Sequence, residues 1–204
     1  MRRKIGITCI VLSIVLLLAA VGLLCYNTWQ SGSAGEASQA VLAQIHEEAP
    51  AQTEKTEDPY ADHVDAFDEE AKEMTVKQID GYGYVGYLSL PALQLELPVM
   101  AECDYERLKI APCRDSGATK TDDIVIAAHN YSTHFGKISQ LIQGDLLTFT
   151  DMDGQTILYE VSAIDILEPT AGDIVRSGTF DLVLYTCTYG GEQRVVVFCN
   201  RVEA

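Results

Sequence analysis

Ile5 to Tyr26 is an unbroken run of 22 residues without a charge. As a helix rising 1.5 Å per residue it reaches roughly 33 Å, enough for a hydrocarbon core of about 30 Å. Arg2, Arg3 and Lys4 precede it, and the next basic residue is Lys55. The preference of basic residues for the cytoplasmic side therefore predicts an N-terminus inside and everything after the span outside. A cleaved secretory leader is the competing reading, but its apolar stretch would run about 7 to 15 residues and no small-x-small cleavage site follows at once. Lipid attachment at Cys25 is disfavoured by Leu24, which stands where a small residue is needed. Residues 1–30 are read as a cytoplasmic tip and uncleaved anchor, with Cys9 and Cys25 as apolar membrane residues.

Beyond the anchor the charge is strongly negative. The chain totals −16, with +3 in residues 1–30, −10 in residues 31–80 and −9 in residues 81–204. No basic patch exists to track phosphates, so nucleic acid is excluded as a partner. Residues 31–58 are rich in Ser, Gly, Glu, Gln, Thr, Pro and Ala, a composition that buries too little apolar area to offset chain entropy. They read as a disordered acidic stalk. Val64, Phe67, Ala71, Met74 and Ile79 recur at spacings of three to five, which predicts an amphipathic N-terminal helix over residues 59–80.

After Asp80-Gly81 the texture changes to short β-rich runs: Tyr84 to Leu90, Leu95 to Met100, Ile124 to Ala128, Leu146 to Thr150, Thr156 to Ile166, Leu182 to Thr186 and Arg194 to Phe198. Asp153-Gly154 marks a hairpin between two of them, and Phe135 to Ile142 reads as a short helical turn. Residues 81–204 are therefore expected to form one all-β barrel or sandwich of seven or eight strands with short helices.

Chemistry concentrates near the C-terminal end. Two apolar runs flank Thr188 to Gln193, where Gly190-Gly191 permits positive φ, so the simplest reading is an antiparallel hairpin. Symmetric pairing sets Cys187 opposite Arg194, about 4.5 to 5.5 Å apart at Cβ on one face. A permanently charged guanidinium favours a thiolate or a developing oxyanion beside it. On this geometry alone, a structural cysteine beside a surface arginine is the commoner arrangement. A thiol nucleophile also needs a proton carrier. Of four histidines, His46 and His63 precede the domain, and His129 ends the apolar strand Ile124 to Ala128. His134, further into the loop, is read as solvent-exposed or a neighbour of Asn130. His129 is the preferred candidate. Cys199 is an odd number of residues past Arg194, so it should point away from that face as a buried core thiol. Cys103 and Cys113 fall in a presumed loop, where an extracellular bridge between them stays open. His129, His134 and the cysteines lack zinc-ligand spacing, and the pairs Asp122-Asp123 and Asp151-Asp153 read as turn formers, so neither metal nor cofactor is expected.

Val183-Leu-Tyr-Thr-Cys187 followed by Arg194, an upstream strand ending in His129-Asn130, and an N-terminal anchor together resemble the sortases, the cysteine transpeptidases of Gram-positive cell surfaces. Gly86 to Val99 is similar to that family's opening strands, and Phe135-Gly136, Leu141 and Gly144-Asp145 to the segment after its histidine. The resemblance implies a closed sortase-type β-barrel. It implies Cys187 as nucleophile, His129 as the acid for the departing amine and Arg194 as stabiliser of the oxyanion, with Thr186, Asn130 and Tyr189 as substrate-binding residues. The first position of the Thr-Leu-x-Thr-Cys motif is Val183 here, and the Cys-to-Arg loop is short. Asp165 to Asp181 leaves no room for the long helix of class B enzymes, although His129-Asn130 is similar to that class. Subclass features are class B-like or D-like.

The implied reaction is cleavage of a C-terminal sorting motif of the Leu-Pro-x-Thr-Gly type through a thioacyl enzyme. Partners would be sorting-signal-bearing surface proteins or pilins, with a peptidoglycan precursor or pilin lysine as the accepting amine. The rivals are a cysteine endopeptidase with water as acceptor, and a non-catalytic surface module that binds peptide.

Overall fold

The computed structural model describes residues 2–48 and 73–203. Among the described residues an N-terminal helix, α1 (Arg2–Glu48), is followed by nine strands: β1 (Lys77–Ile79), β2 (Tyr82–Leu90), β3 (Leu95–Met100), β4 (Cys113–Ser116), β5 (Ile124–Ala127), β6 (Leu146–Asp151), β7 (Thr156–Leu167), β8 (Leu182–Cys187) and β9 (Arg194–Arg201). Two single-turn helices, α2 (Tyr105–Leu108) and α3 (Gly172–Val175), and a 3₁₀ turn over Phe135–Gln140 interrupt them.

The strands pair in the order β1-β2-β3-β4-β5-β8-β9-β7-β6, and β2 pairs again with β6, so eight of the nine close into a barrel. Short β1 extends the wall beside the start of β2. Closure removes the unpaired edges that an open sheet exposes. Alternation along each strand sorts the side chains. Leu182, Leu184, Val195, Val197 and Cys199 point into the main core with Phe149, Leu88 and Tyr159. Val183, Val196 and Phe198 point outward and form a second cluster with Val125 and Val175. Cys199 is thus buried in the barrel interior, on the face opposite Arg194, and desolvation pushes its thiol up to about 12.

The seven strands expected from the apolar runs are present. β4 is a correction to the loop expected around Cys113. It joins β3 through one parallel pair, Met100 with Cys113, and then runs antiparallel to β5. Cys113 is buried there, and both it and Cys103 are free thiols. A hydrogen bond between the two thiols, then burial, raises the Cys113 thiol.

The region after the anchor also differs from its expected form. Residues 31–48, read as stalk, continue α1 without a break. No proline falls between Met1 and Glu48, and Ala34, Ser38, Val41, Leu42 and Ile45 recur every three or four residues as a thin stripe. All five are buried, and Val41 and Ile45 pack with Ile79, Tyr84, Met100 and Ala111. Gly35 permits the closest approach, since a Cβ there would lie 2.9 Å from Thr133 Cγ2. The stripe escapes a reading by composition because its apolar residues, Val41, Leu42 and Ile45, stand among Gly, Ser, Ala, Glu and Gln. Of the amphipathic helix expected over residues 59–80, residues 59–72 lie outside the described residues. Lys77–Ile79 form strand β1.

Candidate active site

The β8–β9 hairpin is built as its sequence requires. Gly190 and Gly191 take φ of 91° and 78°, conformations that a Cβ would disfavour. Thr188 N–H donates to the Gln193 carbonyl at 2.9 Å and Gly191 N–H to the Thr188 carbonyl at 2.9 Å, closing the turn. The strand register runs from Leu182 with Cys199 to Cys187 with Arg194. Cys187 and Arg194 are therefore directly opposed, both half-buried, on the outward face at the end of the hairpin. They stand on the barrel wall, beneath the loop that carries α3, rather than inside its mouth.

His129 reaches them through the parallel pairing of β5 with β8. Ala127 lies beside Tyr185, Ala128 N–H donates to the Tyr185 carbonyl at 3.1 Å, and the Thr186 hydroxyl donates to the Ala128 carbonyl at 2.8 Å. These bonds hold residue 129 level with residue 187. Cys187, His129 and Arg194 line one cavity of about 430 Å³, walled by Tyr105, Leu167, Pro169 and Arg176.

The imidazole lies between two tyrosines. Tyr105 meets it edge-on at 5.5 Å and Tyr131 at 4.9 Å, centroid to centroid. His129 Nε2 is buried and makes no hydrogen bond to any described residue. Burial, with a smaller contribution from the Lys109 cation, holds its pKa below the ordinary 6.5, so the ring is neutral at neutral pH. Neither Tyr105 nor Lys109 was identified from the sequence. Asp104 caps α2 by accepting from Arg107 N–H at 2.8 Å, and that Asp-x-x-Arg pattern ahead of Leu108 was the available signal for the turn that presents both. Arg194 also has local work, because its Nη1 donates to the carbonyls of Gly191 and Gln193, each at 3.1 Å. The turn thereby orients the guanidinium.

The other sequence candidates disperse. Thr186 borders the cavity, but its hydroxyl is committed to Ala128. Asn130 donates from Nδ2 to the Thr188 carbonyl at 3.4 Å, tying the histidine loop to the hairpin turn. Asn130 and Tyr189 border a neighbouring cavity against α1 rather than the one holding Cys187. Tyr189 is 92% exposed. His134 is the clearest reversal: instead of facing solvent it is fully buried beneath α1, with Nε2 3.4 Å from the Ser38 hydroxyl. Desolvation pushes its pKa down to about 4. Its sequence position gave no sign of burial, because the covering helix lies about a hundred residues away.

The chain is similar to known proteins in sequence and in fold. A family model described as Sortase domain matches residues 88–202. The chain is 24% identical over 179 residues to Sortase A of Bacillus anthracis, covering 85% of this chain and 84% of that one. It superposes on the structure of sortase A from Corynebacterium diphtheriae with a TM-score of 0.55 at 23% identity, covering 60% of this chain and 62% of that one. It also superposes on Clostridium perfringens sortase C with the C-terminal cell wall sorting motif, with a TM-score of 0.52 at 22% identity, covering 59% and 71% of the two chains.

Proposed function

The chain belongs to the sortase family of Gram-positive surface transpeptidases, and on that footing we propose that Cys187, His129 and Arg194 perform its acyl transfer. The observation that carries this assignment is the convergence of the three on one cavity, with Cys187 opposite Arg194 in register. Cys187 Sγ attacks the scissile carbonyl of a sorting motif, and its proton passes to neutral His129. The Arg194 guanidinium offsets the charge on the tetrahedral oxygen. His129 then gives the proton to the departing amine, leaving a thioacyl enzyme. An incoming amine, losing a proton to the same imidazole, attacks the thioester and releases Cys187.

The substrate in this reading is a C-terminal sorting motif, the class of ligand carried by the Clostridium perfringens enzyme. The accepting amine is a peptidoglycan precursor or a pilin lysine. The first helix contains a segment long and apolar enough to cross a membrane. With Arg2, Arg3 and Lys4 on its cytoplasmic side, the catalytic domain faces outward.

The test is intact-mass analysis of the full chain in detergent micelles with a panel of sorting peptides and an added amine. A thioacyl adduct on Cys187, resolved by amine faster than by water, is expected. Equal turnover by Cys187→Ala would overturn the assignment. Release only to water would make the protein an endopeptidase.

A further inference from the structure

The membrane-crossing part of α1 and the part that packs on the barrel are one unbroken helix, so the height of the catalytic domain above the bilayer can be read along it. Counting from Ile5, the charge-free run ends at Tyr26, about 33 Å up the helix and level with the outer edge of the hydrocarbon. Tyr26 and Trp29 follow at that level as exposed aromatics, 54% and 69% accessible, the residue types that settle at a membrane–water interface.

The histidine loop and the hairpin turn that flank the Cys187 cavity meet the helix at this same height. Leu24 and Thr28 share a cavity with Asn130, Tyr131, Tyr189 and Gly190. One turn further on, the Thr133 hydroxyl donates to the Ser31 carbonyl at 2.7 Å, and the hydroxyls of Ser31 and Ser132 lie 3.1 Å apart. The far pole of the barrel is docked much higher, where Gln44 Nε2 donates to Asp80 at 3.2 Å. That is 18 residues past Tyr26, or about 27 Å. These two loops also lack the charge that would keep them off a lipid surface. In a chain of net charge −16, neither Asn130 to Gly136 nor Thr188 to Gly191 contains a carboxylate, and Glu192 is the first in the turn.

We infer that the histidine loop and the Thr188–Gly191 turn, which flank the Cys187 cavity, sit in the headgroup layer of the outer leaflet, with Tyr189 at the tip of the hairpin turn as their interfacial anchor. The occupant of this exposed face is the lipid surface itself. The inference rests on α1 spanning the membrane and not on the acyl-transfer chemistry, so it can fail while that chemistry stands. A sorting signal next to its own membrane segment would then meet Cys187 without first being lifted into solution.

Trp29 is the only tryptophan, which makes depth measurable in the full chain. In phosphatidylcholine and phosphatidylglycerol vesicles containing lipids spin-labelled at the headgroup or high on the acyl chain, wild-type Trp29 reports seating of the anchor. In a Trp29→Phe background, Tyr189→Trp should be quenched to an extent similar to Trp29. It should be quenched severalfold more than Tyr82→Trp, an exposed aromatic replacement at the far pole beside Asp80. Equal quenching at positions 189 and 82 would overturn the inference, as would absence of quenching at Trp29 itself.

Discussion

Acidification should loosen the docked half of α1 through His134. The imidazole is fully buried between Ser38 and the Tyr131 ring, with its pKa pushed from 6.5 to about 4 by desolvation. When residues 34–45 lift away, the ring regains water and its ordinary pKa. Between pH 6.5 and 4 the undocked state therefore binds more protons than the docked one, and docking weakens as pH falls. The full stabilisation is present above about pH 6.5, and the loss stops growing below about pH 4. At 1.36 kcal/mol per pH unit, the docking free energy at pH 4 should be lower by about 3 kcal/mol than at pH 7, roughly a hundredfold in the opening equilibrium. Hydrogen exchange read by mass spectrometry on the intact chain in micelles, corrected for intrinsic pH dependence, measures this directly, since residues 34–45 lose the packing that protects this end of α1 from fraying when they undock. Protection over residues 34–45 should fall about two orders of magnitude further in wild type than in His134→Phe. Equal losses in the two proteins would refute the reasoning and assign the effect to carboxylates.

Four further outcomes follow from particular contacts. Arg194→Lys keeps the charge but loses the planar fork, so kcat should drop by about 10² to 10³ with KM little changed, measured by peptide cleavage. Lys109→Ala removes a cation that helps hold His129 below its ordinary pKa. The His129 pKa should then rise, and the acid limb of the kcat/KM profile should move to higher pH. Thr186→Val strands the Ala128 carbonyl that the hydroxyl now satisfies at 2.8 Å, a loss of roughly 1 to 3 kcal/mol in thermal or urea unfolding. Gly86→Ala would drive a Cβ into the Thr150 carbonyl oxygen at φ 157°, where β2 pairs with β6, and should cost roughly 3 kcal/mol or more on the same assay.

What the sequence disclosed depended on how local the signal was. The hairpin register was legible because two β-branched runs flank a diglycine, so counting outward sets Cys187 against Arg194. The opposite orientation of Cys199 followed from parity alone. β4 was hidden because Cys-Arg-Asp-Ser carries two charges and buries only Cys113, and a strand that short is fixed by neighbours rather than by its own pattern. The docked part of α1 was hidden because only Val41, Leu42 and Ile45 are large and apolar in it, and the Ser, Gly, Ala, Glu and Gln before them have the composition of a linker until a partner surface is known. The surroundings of both histidines were non-local. Tyr105 precedes His129 by 24 residues, and Ser38 precedes His134 by 96. Nothing in the intervening sequence could report those meetings.

The pairing of Cys187 with Arg194 also governs where this chain can tolerate a change in length. Deleting or inserting one residue within β9 would slip its side chains across the wall, turning the guanidinium inward and a core valine toward water. Residues added between Thr188 and Gln193 would leave both strands undisturbed, because there the ladder has already ended. Recognition can therefore diversify by growing or trimming that tip, while the reacting atoms stay in step beneath it.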